Sequence, residues 1–557
     1  MVERFLQAIE REISGLHEAA YLLAGFVFAS QLLALVRDRL LARSFGASAD
    51  LDVYYAAFRI PDFLYITLAS LVASAVLIPF ITQKLEHKGE AERFFNSIFT
   101  LFFCCMVLVS IIVFFAMPFL ARFVAPGLSG ESQAELVGLS RIILLSPILL
   151  GLSGLFASVT QSLRRFFVYA ISPVLYNIGI IIGIIFFYPT LGLSGLAYGV
   201  VLGALLHMLI QIPVLLRNNF VPRFTVAIQW REIGQVFSVS LPRAITLSAH
   251  HLTLFVLIAL ASLMEEGSIA IFNFSFNLQS VPLAIIGVSY SVAAFPTLSR
   301  LFTNGDRNAF GGQMVTAIRH IIFWSMPVLV LFIVLRAQIV RTILGTGAFD
   351  WADTRLTAAA LALFVVSVLG QSLMLIFVRG YYAAGRTMKP LIINACASAG
   401  IIATAFALTK IFSTSAHFQY FLEALFRVEE LPGTLVIVLP LAFSIGVLIN
   451  AVVLWVYFEK DFSLSLSGVF LTLRQSFYAA VLAGFVAYQS LNALDDVFDL
   501  DTFLGIALQG LISGILGIAA WALVLVLMKN KEIHEIGQSL HGRFWQAKPV
   551  APDQGEL

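Results

Sequence analysis

Charge is scarce in this chain of 557 residues, because only 12% of them are Asp, Glu, Lys or Arg. Soluble domains contain about 25% of such residues, so the composition excludes an ordinary water-soluble globular protein. The 34 basic and 32 acidic residues leave a formal net charge of +2. Basic clusters with interleaved aromatic residues are absent, and we therefore expect no nucleic-acid partner.

Cysteine and the common catalytic motifs are also missing or rare. The three cysteines, Cys104, Cys105 and Cys396, lie in apolar segments without metal-ligand spacing, and we interpret them as small hydrophobic side chains. The chain has no Walker loop, no His-Glu-x-x-His motif and no Gly-x-Ser-x-Gly motif. We predict that the protein is not an enzyme and uses no metal and no cofactor.

Long apolar runs fill the chain instead, and hydrophobic residues make up 60% of it. About 20 helical residues cross a bilayer, and in lipid only helices and closed barrels satisfy the backbone. The runs predict an all-α polytopic membrane protein with about 14 transmembrane helices. The predicted spans are 20–42, 53–83, 94–123, 136–162, 169–188, 193–216, 235–263, 269–299, 319–345, 355–381, 388–410, 434–457, 470–491 and 503–528.

The loops between these spans alternate in charge. One set is basic and includes Lys84, Arg164 and Lys460, whereas the other is acidic and includes Glu265 and Asp496. Lys and Arg are enriched on the cytoplasmic side of membrane proteins. Because the number of predicted spans is even, the pattern predicts that the N and C termini both lie in the cytoplasm.

Two pairs of prolines recur at one offset, which indicates an internal repeat. The same number of residues separates Pro79 from Pro296 and Pro173 from Pro390. Six predicted spans lie between the members of each pair, and this favours two parallel six-helix bundles; the alternative is a coincidence among apolar residues. The predicted divisions are an N-terminal amphipathic segment at 1–18, an N-lobe of spans 1–6 at 19–217, a C-lobe of spans 7–12 at 218–458, spans 13 and 14 at 459–528, and a cytoplasmic tail at 529–557.

Several charged residues fall within the predicted spans, where charge usually faces protein or a water-filled cavity. Arg37 and Asp38 lie in span 1, Arg59 lies in span 2, and Arg243 lies in span 7. Arginine binds phosphate oxygens through paired hydrogen bonds, so these residues favour a cavity for an anionic head group. The alternatives are an ion pair between Arg37 and Asp38, and an Arg243 side chain that reaches the cytoplasm.

Adjacent histidines, His250 and His251, lie near the middle of span 7. Neighbouring helical residues point about 100° apart, so at most one of them faces a cavity squarely. One interpretation is that they are packed, hydrogen-bonded side chains. The other is that they couple transport to protons or bind substrate.

The order of several motifs resembles the MurJ (MviN) family of lipid II flippases, within the multidrug/oligosaccharidyl-lipid/polysaccharide exporter superfamily. The similar segments run along the whole chain and include Arg37-Asp38, Phe58-Arg59-Ile60-Pro61 and Gly347-Ala348-Phe349-Asp350. The resemblance implies movement of lipid II between leaflets of the bacterial cytoplasmic membrane by alternating access. It also implies a lipid-linked substrate, a lipid-tail groove beside spans 13 and 14, and cell-wall synthesis proteins as partners.

The same resemblance implies which residues line the cavity. Arg37, Asp38 and Asp52 match the family's charged positions, whereas Gln31 and Asn277 stand where the family has arginines. Tyr65-Ile66 replaces an arginine pair, and Ser280 replaces a nearby acidic residue. The expected substrate-binding residues are Gln31, Arg37, Asp38, Asp52, Arg59, Arg243 and Asn277, in a cavity with less positive charge than the family has.

Two other functions stay open at this point. One is a flippase for another polyprenyl-linked saccharide, or a small-molecule exporter of the same superfamily. The other is a non-transporting membrane scaffold for cell-wall enzymes. For a transporter we expect the two lobes to rock, with bends at Pro61 and Gly287 and with the loop Gly345–Asp350 near the outer gate.

Overall fold

The chain is built from helices. A computed structural model describes residues 16–70, 74–84, 88–218, 220–464 and 468–535, and no β-strand occurs in these ranges. This confirms the prediction of an all-α fold. The α-helices are α1 (Leu16–Phe45), α2 (Ala49–Ala57), α3 (Arg59–Ala69), α4 (Ser74–Lys84), α5 (Lys88–Val124), α6 (Gly130–Ile143), α7 (Leu145–Ser162), α8 (Phe166–Ile182), α9 (Tyr188–Leu191), α10 (Leu193–Leu209), α11 (Ile212–Arg217), α12 (Trp230–Ala261), α13 (Ser268–Leu283), α14 (Ser289–Thr303), α15 (Arg307–Val334), α16 (Arg336–Ile343), α17 (Trp351–Ala383), α18 (Met388–Thr414), α19 (Ala416–Phe426), α20 (Val438–Phe462), α21 (Gly468–Ala493) and α22 (Phe503–Leu527).

Eleven helical segments within the described ranges are long and apolar enough to cross a membrane. They correspond to predicted spans 3 to 6 and 8 to 14. The other three predicted spans are occupied by α1, by α2 to α4, and by α12. Span 1 carries three consecutive charged residues, which makes it less apolar. Span 2 is divided into helices of 9 to 11 residues, each too short to cross a membrane alone. The count of fourteen stays a prediction.

Side chains at the helix starts explain several boundaries. Ser129, Asp306 and Thr502 each precede a helix, and each accepts a hydrogen bond from the backbone N–H three residues later. Such caps satisfy N–H groups that have no partner within the helix. Two π-helical turns, Gly183–Phe187 and Ala284–Val288, interrupt the helical pattern in the segments that follow α8 and α13.

The helix α8, which carries Asn177 of the site described below, lies very close to α10. A Cβ atom at Gly179 would lie 2.2 Å from Cα of Gly203, and one at Gly183 would lie 2.5 Å from Cα of Gly199. Small residues with this spacing let membrane helices approach at the backbone. A larger residue at Gly179 would therefore push the two helices apart.

The chain divides into two compact units. The first comprises Met1–Val281, Ile343–Phe364 and Arg386–Asn450, and the second comprises Pro282–Thr342, Val365–Gly385 and Ala451–Leu557. Phenylalanines such as Phe94, Phe95 and Phe156 form a core in the first unit, while Phe323 and Trp521 belong to a core in the second.

The predicted lobes at 19–217 and 218–458 and the predicted proline repeat stay predictions. Of the N-terminal amphipathic segment at 1–18, residues 1–15 lie outside the described residues. Of the tail at 529–557, residues 536–557 do so as well.

Candidate substrate-binding site

The polar centre of the first unit is the carboxylate of Asp38. Arg37 donates to its Oδ1 from Nη2 at 2.8 Å and from Nε at 3.0 Å. Asn277 of α13 donates to Oδ2 at 3.0 Å. Asp38 is only 2% exposed, so its charge is compensated inside the protein by these donors rather than by water. The structure thus brings together two residues of α1 and one of α13.

The helix α8 contributes a further residue, Asn177, to this cluster. Its Oδ1 accepts a hydrogen bond from Nη1 of Arg37 at 3.3 Å, and its Nδ2 donates to Oγ of Ser30 at 3.1 Å. Ser30 and Arg37 are seven residues apart, or about two helical turns, so they lie on the same face of α1. Asn177 therefore holds Arg37 from the side opposite Asp38.

Asp52 binds the start of α13. Its Oδ2 accepts a hydrogen bond from the backbone N–H of Gly267 at 2.8 Å, and its Oδ1 accepts one from Ala270 at 2.7 Å. The N-terminus of a helix carries free N–H groups and a partial positive charge, so a carboxylate there is doubly favourable. Asp52 is buried, and in this conformation it joins α2 to α13.

The loops around Asp52 meet at the level of the backbone. The backbone N–H of Ala47 donates to Oδ2 of Asp353 at 3.0 Å, and that of Ala348 donates to the carbonyl of Arg43 at 3.0 Å. Gly267 adopts a φ of +85°, and a Cβ atom on it would lie 2.2 Å from the carbonyl oxygen of Ala47. This end of the first unit is therefore closed by close contacts, and at Gly267 they leave no space for a side chain. We call these contacts the glycine closure.

Arg59 lies at the start of α3 and points to α13, where it donates to Oδ1 of Asn273. Its Nε is buried and has no hydrogen-bond partner among the described residues. Asp62, one turn later on α3, interacts electrostatically with Arg59. Each of the two arginines, Arg37 and Arg59, thus has an acidic neighbour, and the cluster is polar without a net excess of positive charge.

The two histidines of α12 pack against each other and against an aromatic ring. The centroids of His250 and His251 are 5.7 Å apart with an interplanar angle of 89°, and His250 lies 6.3 Å from the ring of Phe443. Two residues before His250, Oγ of Ser248 lies 3.0 Å from Oγ1 of Thr67 in α3. A coupling role for either histidine stays a prediction.

The remaining predicted residues lie on the same helices. Gln31 is half-buried on α1, two turns before Asp38 and on nearly the same face. Oγ of Ser280 donates to the carbonyl of Asn277 at 2.6 Å. Arg243 belongs to α12, but its side chain lies outside the described residues.

Asn177 and Asn273 belong to this network, but the sequence patterns did not predict either residue as part of a site. Both are polar residues inside apolar helices, and this is the signal that could have identified them, because a buried amide requires hydrogen-bond partners.

Comparison with known proteins shows which protein family is related to this chain. The family model described as "Lipid II flippase MurJ" matches residues 41–507. The lipid II flippase MurJ of Burkholderia cenocepacia is 25% identical over 378 residues, which cover 66% of this chain and 73% of that protein. A probable lipid II flippase MurJ of Thermotoga maritima is 27% identical over 367 residues, which cover 65% and 73% of the two chains.

Solved structures show the same fold. A structure of lipid II flippase MurJ in an inward closed conformation has a TM-score of 0.71 at 22% identity and covers 91% of this chain and 100% of that one. An inward-facing multidrug resistance MATE transporter has a TM-score of 0.63 at 15% identity, with 78% and 94% covered. Since the family model matches most of the sequence, the chain belongs to the MurJ family, which is described as a family of lipid II flippases.

Proposed function

We propose that this chain moves lipid II from the inner to the outer leaflet of the bacterial cytoplasmic membrane by alternating access. Membership of the MurJ family supports this proposal. Elementary electrostatics supports it too, since the charged oxygens of a head group cannot cross hydrocarbon without polar partners. The buried cluster around Asp38 offers such partners among apolar helices.

One observation carries the mechanism: two carboxylates hold the same helix. Asp38 binds Asn277 within α13, and Asp52 binds the N–H groups of Gly267 and Ala270 at its start. Loss of these contacts would release α13 from both α1 and α2. We propose that this release opens the polar cluster at the end that the glycine closure now seals, and that this end faces outward.

Arg37 is the group that we expect to bind the pyrophosphate or the peptide carboxylates. The Arg37 side chain is 21% exposed, and its guanidinium is shared between Asp38 and Asn177. An incoming anion would compete with Asp38 for the same N–H groups, and it would gain paired hydrogen bonds of high geometric specificity. Gln31, Arg59 and Asn277 would complete the polar lining, and Arg243 would lie nearer the cytoplasm.

The proposed topology places both termini in the cytoplasm, with an N-lobe at 19–217 and a C-lobe at 218–458. Rocking of these lobes would bend the chain at Pro61, in the first turn of α3, and at Gly287, in the π-helical turn Ala284–Val288. The energy would come from an ion gradient or the membrane potential, with His250 and His251 as the groups that could couple it. Cell-wall synthesis proteins are the partners expected for this role.

The decisive experiment combines growth and transport. The chain is expressed in cells depleted of their own lipid II flippase, and the purified protein is reconstituted in vesicles with labelled lipid II. We expect restored growth and appearance of lipid II in the opposite leaflet. Transport of another polyprenyl-linked saccharide without lipid II, or restored growth without any transport, would contradict the proposal.

Topology has its own test. Single cysteines are introduced as Asp496→Cys and Lys84→Cys and treated with a membrane-impermeant maleimide. We expect intact cells to label at 496 only, and permeabilised cells to label at both. Labelling of both positions in intact cells would overturn the assignment.

A further inference from the structure

An apolar cleft lies on the first unit, away from the polar cluster. It has a volume of about 510 Å³, and its walls come from α3, α5 and α12. Its lining includes Ile60, Leu64, Thr67, Val113, Leu252 and Phe255. This volume lies within the range of about 300–1,000 Å³ that small-molecule sites occupy, so the cleft is large enough to hold part of a ligand.

The helix α3 separates this cleft from the substrate-binding cluster. Ile60, Phe63, Leu64, Thr67 and Leu68 all line the cleft, and their spacing of three and four residues places them on one helical face. Asp62 falls on the opposite face by the same geometry, and Arg59 and Tyr65 lie outside the lining face. The two sites therefore lie back to back on one short helix.

The chemistry of the lining restricts what the cleft can bind. Thr67 is the polar residue among its lining side chains, and its hydroxyl is already 3.0 Å from the hydroxyl of Ser248. A polar ligand would lose its hydrogen bonds to water and gain none here, which costs free energy. A hydrocarbon ligand loses nothing and gains dispersion contacts with the walls.

The position of the cleft identifies the source of that hydrocarbon. The helix α5 belongs to the segments able to cross a membrane, and residues 248–261 of α12 form a shorter apolar helix. Phe119 and Phe123 are lining residues that are 63% and 57% exposed, so part of the cleft wall lies on the surface of the protein. At this depth the surrounding medium is lipid, in which phospholipid chains are the abundant species. We propose that the cleft binds one acyl chain of a membrane phospholipid.

Photochemical labelling tests this proposal on the full chain. The protein is reconstituted in vesicles of phosphatidylethanolamine and phosphatidylglycerol that contain a phosphatidylethanolamine with a diazirine on its acyl chain. After irradiation, mass spectrometry locates the adducts. Leu64 is only 5% exposed, so lipid reaches it only through the cleft. We expect adducts at Leu64, and their restriction to exposed residues such as Ile111 and Phe115 would overturn the proposal.

A matched pair of tryptophan variants tests whether the adduct at Leu64 depends on the cleft. Val113→Trp fills the cleft and should abolish the adduct at Leu64. Ile112→Trp adds the same side chain at a neighbouring position that is 58% exposed and does not line the cleft, and it should leave the adduct intact. Equal labelling of both variants would contradict the proposal. Val109→Phe serves as the filled variant if Val113→Trp elutes as an aggregate.

A separate experiment tests whether the hydrocarbon chain in the cleft comes from a phospholipid. Excess unlabelled undecaprenyl pyrophosphate should not reduce the phospholipid adduct at Leu64. If it does, the cleft binds prenyl chains and the assignment to phospholipid is wrong. Neither measurement depends on transport, so the result is independent of the proposed flippase activity.

Discussion

At the scale of single residues, the carboxylate of Asp38 organises the site. Arg37 occupies one of its oxygens and Asn277 occupies the other. Asn277 stands where the family resemblance implies an arginine, so a neutral amide supplies the second donor here. At this position the site therefore lacks a positive charge, and Arg37 is the cation that we expect an anionic head group to contact.

Replacement of Arg37 should therefore abolish transport. In Arg37→Ala, Asp38 loses the partner that neutralises it, and removal of one member of a buried pair costs about 3–5 kcal/mol. The cost should fall at the lower end, because the Arg37 side chain is 21% exposed. Arg37→Lys should recover only part of the activity, since lysine lacks the fork of two parallel donors.

These variants are measured by growth of flippase-depleted cells and by transport in vesicles. Arg122→Ala is the control, because Arg122 is an exposed residue of α5 outside the cluster, and it should behave like the parent protein. Normal transport by Arg37→Ala would show that Arg37 forms an ion pair with Asp38 and has no role in binding the substrate.

At the scale of elements, α13 is held at two points along its length. Asp52 caps its N-terminus, and Asp38 binds Asn277 between two and three turns further on. The glycine closure surrounds the first point, and α1 provides the second. A change at either point should alter how often α13 moves away from α1 and α2, without changing the helix itself.

Removal of the cap should favour the open state. Loss of a capping side chain costs about 0.5–2 kcal/mol, and one to two kcal/mol changes an equilibrium by a factor of about 5–30. In a background without Cys104, Cys105 and Cys396, a cysteine introduced as Ser280→Cys on α13 leaves both contacts in place. In Asp52→Ala it should react faster with an impermeant maleimide from outside. Asp52→Asn should have a smaller effect, because asparagine also caps helices well.

Asp50→Ala is the control, since Asp50 is exposed two residues earlier in the chain. An equal rate of labelling in all variants would contradict the role of the cap.

Two glycines with similar backbone angles make it possible to distinguish the effect of backbone strain from the effect of a steric clash. Gly267 and Gly305 both have positive φ, +85° and +77°, but a Cβ atom at Gly267 would meet Ala47, whereas one at Gly305 meets nothing within 4 Å. An alanine in this backbone region costs about 1–3 kcal/mol at either place. Gly267→Ala should in addition loosen the glycine closure and raise outside labelling of Ser280→Cys, while Gly305→Ala should not. The same labelling in both variants would show that the clash is unimportant.

At the scale of the whole molecule, the proposed cycle requires the helices of the two predicted lobes to separate and rejoin. Predicted spans 2 and 7 are in contact through Thr67 and Ser248, whose hydroxyl oxygens are 3.0 Å apart. Serine and threonine hydroxyls commonly join membrane helices by such hydrogen bonds. If the lobes rock, this contact must break in each cycle.

A reversible cross-link at this contact should stop transport. Thr67→Cys and Ser248→Cys are combined in a background without Cys104, Cys105 and Cys396, which are exposed free cysteines. The side-chain atoms are close enough for a disulfide after a small adjustment. Oxidation should block lipid II movement in vesicles, and reduction should restore it, while each single variant stays active. Full transport by the oxidised double variant would exclude rocking at this contact.

The sequence by itself determined the membrane class and the family. Apolar runs of sufficient length form helices in lipid because the backbone has no other way to satisfy its hydrogen bonds. The segments around Arg37-Asp38 and Arg59 indicated the MurJ family, and the family model confirms it. These features are local in the chain, and residues close in sequence are enough to reveal them. The same local reading identified Arg37 and Asp38 as neighbours on one helix.

Only the tertiary structure decided which distant groups complete the site. The partner of Asp52 is the N-terminus of α13, and the partner of Arg59 is Asn273 on the same helix. Asn177 of α8 joins the cluster through its hydrogen bonds to Ser30 and Arg37 of α1. These contacts link positions far apart in the chain, and their distances depend on how the helices pack. Helical periodicity predicts which face a residue occupies, but it carries no information about which helix lies opposite that face.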